Sequence, residues 1–157
     1  MKKSLILAAI LAVVSVATAV AQPRAIGANI GWGLDVSYQH SLSDANMIDL
    51  SVNIPFFNGI GATATYDWVN PFGTEIPWSN KGEWNWSLGV GAGAGIYGFK
   101  SPAVYVGAVG HVGVEYNFWF PLQLSVDYRP NLGWNFGANH FNTAGFYGVT
   151  LGVRYLF

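Results

Sequence analysis

The sequence predicts an all-β fold: an eight-stranded antiparallel up-and-down transmembrane β-barrel. Three observations carry that expectation. Apolar residues alternate with small or polar ones through most of the chain after residue 21, the period of two that marks strands. Only 10% of the 157 residues are charged while 16% are aromatic, against about 25% charged in an ordinary soluble domain. After residue 21 no stretch is long and apolar enough for a membrane-crossing helix. A surface so poor in charge disperses badly in water but suits contact with lipid. A sheet crossing hydrocarbon must then close on itself, because open-edge backbone groups find no hydrogen-bond partner there.

Residues 1–21 read as a removable export signal. Lys2 and Lys3 form its positive start, residues 5–14 its apolar stretch, and Ala19-Val20-Ala21 a small-x-small cleavage site before Gln22. Residues 22–157 are expected to form the barrel. They carry five basic residues against eight acidic ones, a net charge of −3 with no basic cluster, so nucleic acid is not an expected partner. Cysteine is absent, which removes disulfides and thiolate metal sites from consideration.

The strands follow in order. Residues 24–39 set Ile26, Ala28, Ile30, Trp32, Leu34, Val36 and Tyr38 against Gly27, Asn29, Gly31, Gly33, Asp35, Ser37 and Gln39. After a turn at residues 43–46, Ile48, Leu50, Val52 and Ile54 oppose Asp49, Ser51 and Asn53. The third strand places Ala62, Ala64, Tyr66 and Trp68 opposite Gly61, Thr63, Thr65 and Asp67. Residues 70–82 form the longest clear loop, expected outside the cell. The fourth strand runs from Glu83 to Ile96, with glycines filling much of its inward parity. The fifth, residues 103–116, turns Tyr105, His111 and Glu115 inward. The sixth turns Gln123, Ser125, Asp127 and Arg129 inward, and the final one presents Tyr147, Val149, Leu151, Val153, Tyr155 and Phe157 on one face.

These are seven strands, whereas single-chain bacterial barrels use even numbers. The eighth is assigned to residues 132–138, where Leu132, Trp134 and Phe136 alternate with Gly133, Asn135 and Gly137. A rival count splits the first strand at Gly31-Trp32-Gly33, but alternation continues unbroken through Trp32. Both termini are expected on the periplasmic side. Eight strands leave an interior that side chains can fill, which argues against a general porin. Trp68, Trp84, Trp86, Tyr116, Trp119, Phe120, Tyr128, Tyr147, Tyr155 and Phe157 fall near expected strand ends, where aromatic rings settle at a membrane interface.

The last eight residues, Thr150-Leu151-Gly152-Val153-Arg154-Tyr155-Leu156-Phe157, resemble the terminal signal of outer-membrane barrels, with Gly152, Tyr155 and Phe157 as its marked positions. Residues 33–46 (GLDVSYQHSLSDAN) and 113–130 (GVEYNFWFPLQLSVDYRP) resemble a group of small bacterial outer-membrane β-barrel proteins with no assigned activity. The resemblance implies location in the cell outer membrane, contact with its lipid, and handling by the barrel-assembly machinery during biogenesis.

The inward parity collects Asp35, Asp49, Asp67, His111, Glu115, Asp127, Arg129 and Arg154. Charges out of water are costly unless paired, so the expected role is a salt-bridged plug rather than a catalytic or ion site. An enzyme alternative, modification of lipid A or phospholipid, rests on His40, Ser41 and Ser43. These resemble the His-x-Ser motif of outer-membrane deacylases at the wrong spacing, since position 42 is Leu. A soluble lipocalin-like carrier is the third reading, with Gly31-Trp32-Gly33 as its only echo. It would require polar residues outside and apolar ones inside. Three scattered histidines do not suggest metal, and residues 91–95 lack the Lys-Ser/Thr ending of a phosphate loop. No cofactor is expected. An external partner, of unknown nature, would meet loop residues such as Trp78, Asn80 and Lys81.

Overall fold

The computed structural model describes residues 22–55, 59–73, 81–98, 102–137, 140–142 and 148–157. The export-signal assignment, residues 1–21, lies outside them. Regular structure among the described residues is all strand: β1 (Gln22–Ile30), β2 (Leu34–Ser43), β3 (Asn46–Ile54), β4 (Gly59–Pro71), β5 (Gly82–Tyr97), β6 (Ala103–Phe118), β7 (Leu122–Tyr128), β8 (Asn131–Asn135), β9 (His140–Asn142) and β10 (Val149–Leu156). Every pairing is antiparallel, and β1 closes on β10. The result is a closed eight-stranded β-barrel. β1 to β6 each supply one stave, β7 continued by β8 supplies the seventh, and β9 with β10 the eighth.

The first expected strand is in fact two. The chain reverses at Gly31-Trp32-Gly33, with Ile30 paired to Leu34 and the Gly31 N–H donating to the Gly33 carbonyl over 3.1 Å. The rival count is therefore the correct one. Partners across this turn share the same parity, so a three-residue turn reverses the chain without breaking the alternation. Both glycines sit at close approaches. A Cβ on Gly31 would fall 2.6 Å from Thr150 Cγ2, and one on Gly33 2.6 Å from the Ile54 carbonyl oxygen.

Residues 132–138 are correspondingly not a separate stave. β8 pairs with β6 in the register that β7 began, Val112 facing Tyr128 and Val109 facing Asn131. Pro130 has no N–H to give the ladder, yet its carbonyl accepts from Gly110 N over 2.8 Å and the stave runs on. Ala138 lies outside the described residues. Tyr128 consequently sits mid-stave rather than at an end, and Tyr147 is not among the described residues.

Moving the extra strand to the start of the chain changes the ends. The loop between β4 and β5 shares the end that carries Gln22, the β2–β3 turn and Phe157, so it does not lie across the barrel from the termini as the sequence suggested. Asn70 and Pro71 belong to β4 and Gly82 to β5, which shortens that loop.

From Ala25 to Gly133 the odd-numbered strand positions face inward, and in β10 the even ones do. Burial follows the alternation. Ile30 is 67% exposed and Val153 53%, whereas Arg154 is 1% exposed. The core is polar and the outside apolar, the reverse of a soluble protein and of a lipocalin.

Candidate functional site in the barrel interior

The inward parity brings all eight expected interior residues together: Asp35, Asp49, Asp67, His111, Glu115, Asp127, Arg129 and Arg154 are buried. Three cations organise them. Arg154 on β10 reaches β7 beside it and β2 on the far side of β1, donating through Nε to Ser37 Oγ (2.9 Å), Nη1 to Gln123 Oε1 (3.0 Å) and Ser125 Oγ (2.6 Å), and Nη2 to Asp127 Oδ2 (3.0 Å). Arg129, at the break between β7 and β8, crosses the lumen to Asp49 Oδ1 at 3.0 Å and approaches Asp35 at 3.9 Å. Asp49 also accepts from Gln39 and Ser51, both at 3.2 Å, and Asp35 from Asn53.

The third cation is Arg24, which the sequence reading missed. It has even parity and should face outward. A register shift between Pro23 and Ala25 adds a residue to this edge of β1, as a β-bulge does, and re-aims the side chain. Its guanidinium makes a two-pronged contact with Glu115 and donates to Gln39 Oε1 over 2.8 Å and towards Met47 Sδ at 3.0 Å. Asn85 and Gln123 hold the same carboxylate from the sides.

His111 bridges two carboxylates. Nδ1 lies 2.9 Å from Asp67 Oδ1 and Nε2 3.0 Å from Asp127 Oδ1, with the imidazole fully buried. Both contacts are hydrogen bonds to ionised carboxylates when both ring nitrogens carry hydrogen. The wall is cut away to admit these groups. A Cβ on Gly89 would fall 1.5 Å from Asp67 Oδ1, and one on Gly152 2.3 Å from Ser125 Oγ and 2.5 Å from Asn29 Oδ1.

Two further regions adjoin this network. At the end carrying the termini, a cavity of about 760 Å³ is lined by Arg24, Met47, Asn85, Asn117, Asp44 and Glu83 among others. Towards the opposite end, the side-chain amides of Asn29 and Asn131, the Tyr105 hydroxyl and Arg129 Nε are buried without a protein partner. Buried polar groups of this kind are ordinarily satisfied by ordered water.

His40 and Ser41 do not form a pair. Adjacent strand positions point to opposite faces. His40 Nδ1 is engaged by the Tyr38 hydroxyl at 2.8 Å on the outer side, whereas Ser41 lines the terminal cavity. Ser43 Oγ accepts from Ala45 N and Asn46 Nδ2 and holds the β2–β3 turn. Gly152 faces inward beneath the network, while Tyr155 and Phe157 stack edge-to-face outside, ring centres 5.5 Å apart. Among the described residues, no group of three or more His, Cys, Asp or Glu side chains is arranged to hold a metal ion. Of the three loop residues singled out, Lys81 is described and exposed, and Trp78 and Asn80 lie outside the described residues. In comparison with known proteins, no family model, no curated protein and no solved structure matches this chain.

Proposed function

We propose that this chain is an outer-membrane β-barrel protein with a structural or interaction role, its lumen closed by a network of paired charges. The observation that carries the reading is the inverted burial. Large apolar side chains stand exposed around the barrel, from Ile26 and Val36 on β1 and β2 through Val90 and Val106 to Leu124 and Val153, while the charges lie inside. Water penalises that arrangement and hydrocarbon rewards it.

The dimensions agree. Seven outward positions from Trp84 to Ile96 line β5. At a rise of about 3.3 Å per residue and a tilt of about 40°, they cover about 30 Å along the barrel axis. An aromatic row supplies the rim at the terminal end. Trp84, Tyr116, Phe118, Phe120 and Trp119 meet in sequence with ring centres 4.7–5.2 Å apart. Such rings anchor a protein at headgroup level. On this reading the export signal delivers the chain, the Gly152, Tyr155 and Phe157 pattern addresses it to the assembly machinery, and membrane lipid is its permanent partner.

Cell fractionation, followed by a detergent gel of heated and unheated samples, tests the proposal. Enrichment in the outer-membrane fraction with a mobility shift on boiling is the expected result. Recovery as a soluble periplasmic protein without detergent would overturn it.

A further inference from the structure

We propose that the cavity at the terminal end is a binding site for a small aliphatic diamine or oligoamine. The inference adds a ligand to the proposed interaction role and does not depend on the surrounding membrane. The cavity measures about 760 Å³, within the range of small-molecule pockets.

Charge selects the ligand first. Asp44 and Glu83 line the cavity and are exposed, and neither forms an ion pair among the described residues. Arg24 alone among the described lining side chains is basic, and its guanidinium is already engaged by Glu115. An anion entering here would meet two carboxylates and a guanidinium that is already paired.

Spacing selects it next. Asp44 sits in the β2–β3 turn and Glu83 near the start of β5, with β4 and the edge of β3 between them. At about 4.8 Å per strand their backbones stand about 10 Å apart or more, which suits two ammonium groups on one chain better than one ion. Val69 and Pro71 of β4 line the wall between them. The surface therefore runs carboxylate, apolar, carboxylate, and it complements ammonium, methylenes, ammonium. Aliphatic stems lie along apolar surface while their charged heads keep polar partners.

A buried acceptor completes the site. Asn85 lines the cavity at 8% exposure, and its Nδ2 donates to Glu115 over 3.4 Å. Its side-chain oxygen accepts from no described residue and is left for a further N–H. A sugar fits less well. Phe157 is the one aromatic side chain among the described lining residues, and its ring stacks outside against Tyr155.

Titration calorimetry on the purified full-length protein in detergent tests this with spermidine, against butylamine and Mg²⁺ as controls. Spermidine is expected to bind one per barrel, more weakly as salt rises. Asp44→Asn and Glu83→Gln should each lower its affinity about fivefold, the upper end for one exposed ion pair, and together about 25-fold. Val69→Lys, which tethers an ammonium between the two carboxylates, should block spermidine independently. The boiling shift verifies that each variant forms the barrel. Butylamine binding as tightly as spermidine, or Mg²⁺ displacing it at equal concentration, would overturn the oligoamine assignment. So would undiminished binding to the folded double variant or to folded Val69→Lys, or no saturable binding to wild type. The measurement needs no bilayer, so its failure leaves the outer-membrane reading to the fractionation test.

Discussion

His111 shows how much of the interior depends on single protons and single atoms. Removing it by His111→Ala leaves Asp67 and Asp127, each about 3 Å from the imidazole, buried with no cation between them. Breaking a buried pair of this kind costs about 3–5 kcal/mol. Urea unfolding in lipid, read by the gel shift, should show a loss of that size, and adding Asp67→Asn should recover part of it. The inward position of His111 was legible because β6 alternates without a break from Ala103 to Phe118. The partner set was not, because parity assigns a face and never a neighbour. Arg24 was illegible for a different reason: a bulge alters which way one residue points and leaves the sequence pattern around it unchanged.

At the level of strands, alternation proved a faithful guide to faces and a poor guide to turns. Partners across each of the first hairpins share parity, as Ile30 with Leu34 and Ala62 with Ala94. A reversal therefore leaves no mark on the phase, and only Gly31 and Gly33 signalled one. The opposite error fell at Pro130, on either side of which the sequence reading assigned separate strands although the ladder merely skips one donor there. The corrected topology is directly testable. Cysteines placed by Trp32→Cys and Asp44→Cys should be labelled by a charged reagent from opposite sides of sealed vesicles. Labelling of both from one side would refute it. Glycine placement within strands carries its own cost. A Cβ on Gly91 would stand 1.9 Å from the Ala64 carbonyl oxygen, so Gly91→Ala should destabilise the barrel by about 1–3 kcal/mol through backbone displacement, measured by the same unfolding assay.

For the molecule as a whole, stability is divided between a greasy exterior and a paired interior, and the two respond to different solvents. Val90 is 59% exposed near the middle of β5. Val90→Arg should cost about 2–4 kcal/mol in a bilayer, against about 0–1 for Phe120→Arg at the rim. Equal costs at both positions would argue against a lipid-facing belt. The fold class was readable in advance because composition and alternation are properties of the entire chain, insensitive to where individual turns fall. Closure itself carries a temporal consequence. The seam joins β1 to β10, from Ala25 opposite Leu156 to Ile30 opposite Leu151, and the Phe157 N–H donates to the Arg24 carbonyl over 3.0 Å. The first stave must therefore wait for residues 149–157 to pair with it. Until they do, the folding chain exposes two raw edges, and Asp127 lacks the guanidinium of Arg154. Closing so long a loop is an entropically late step, so the β1–β10 seam decides when the chain ceases to be an open sheet.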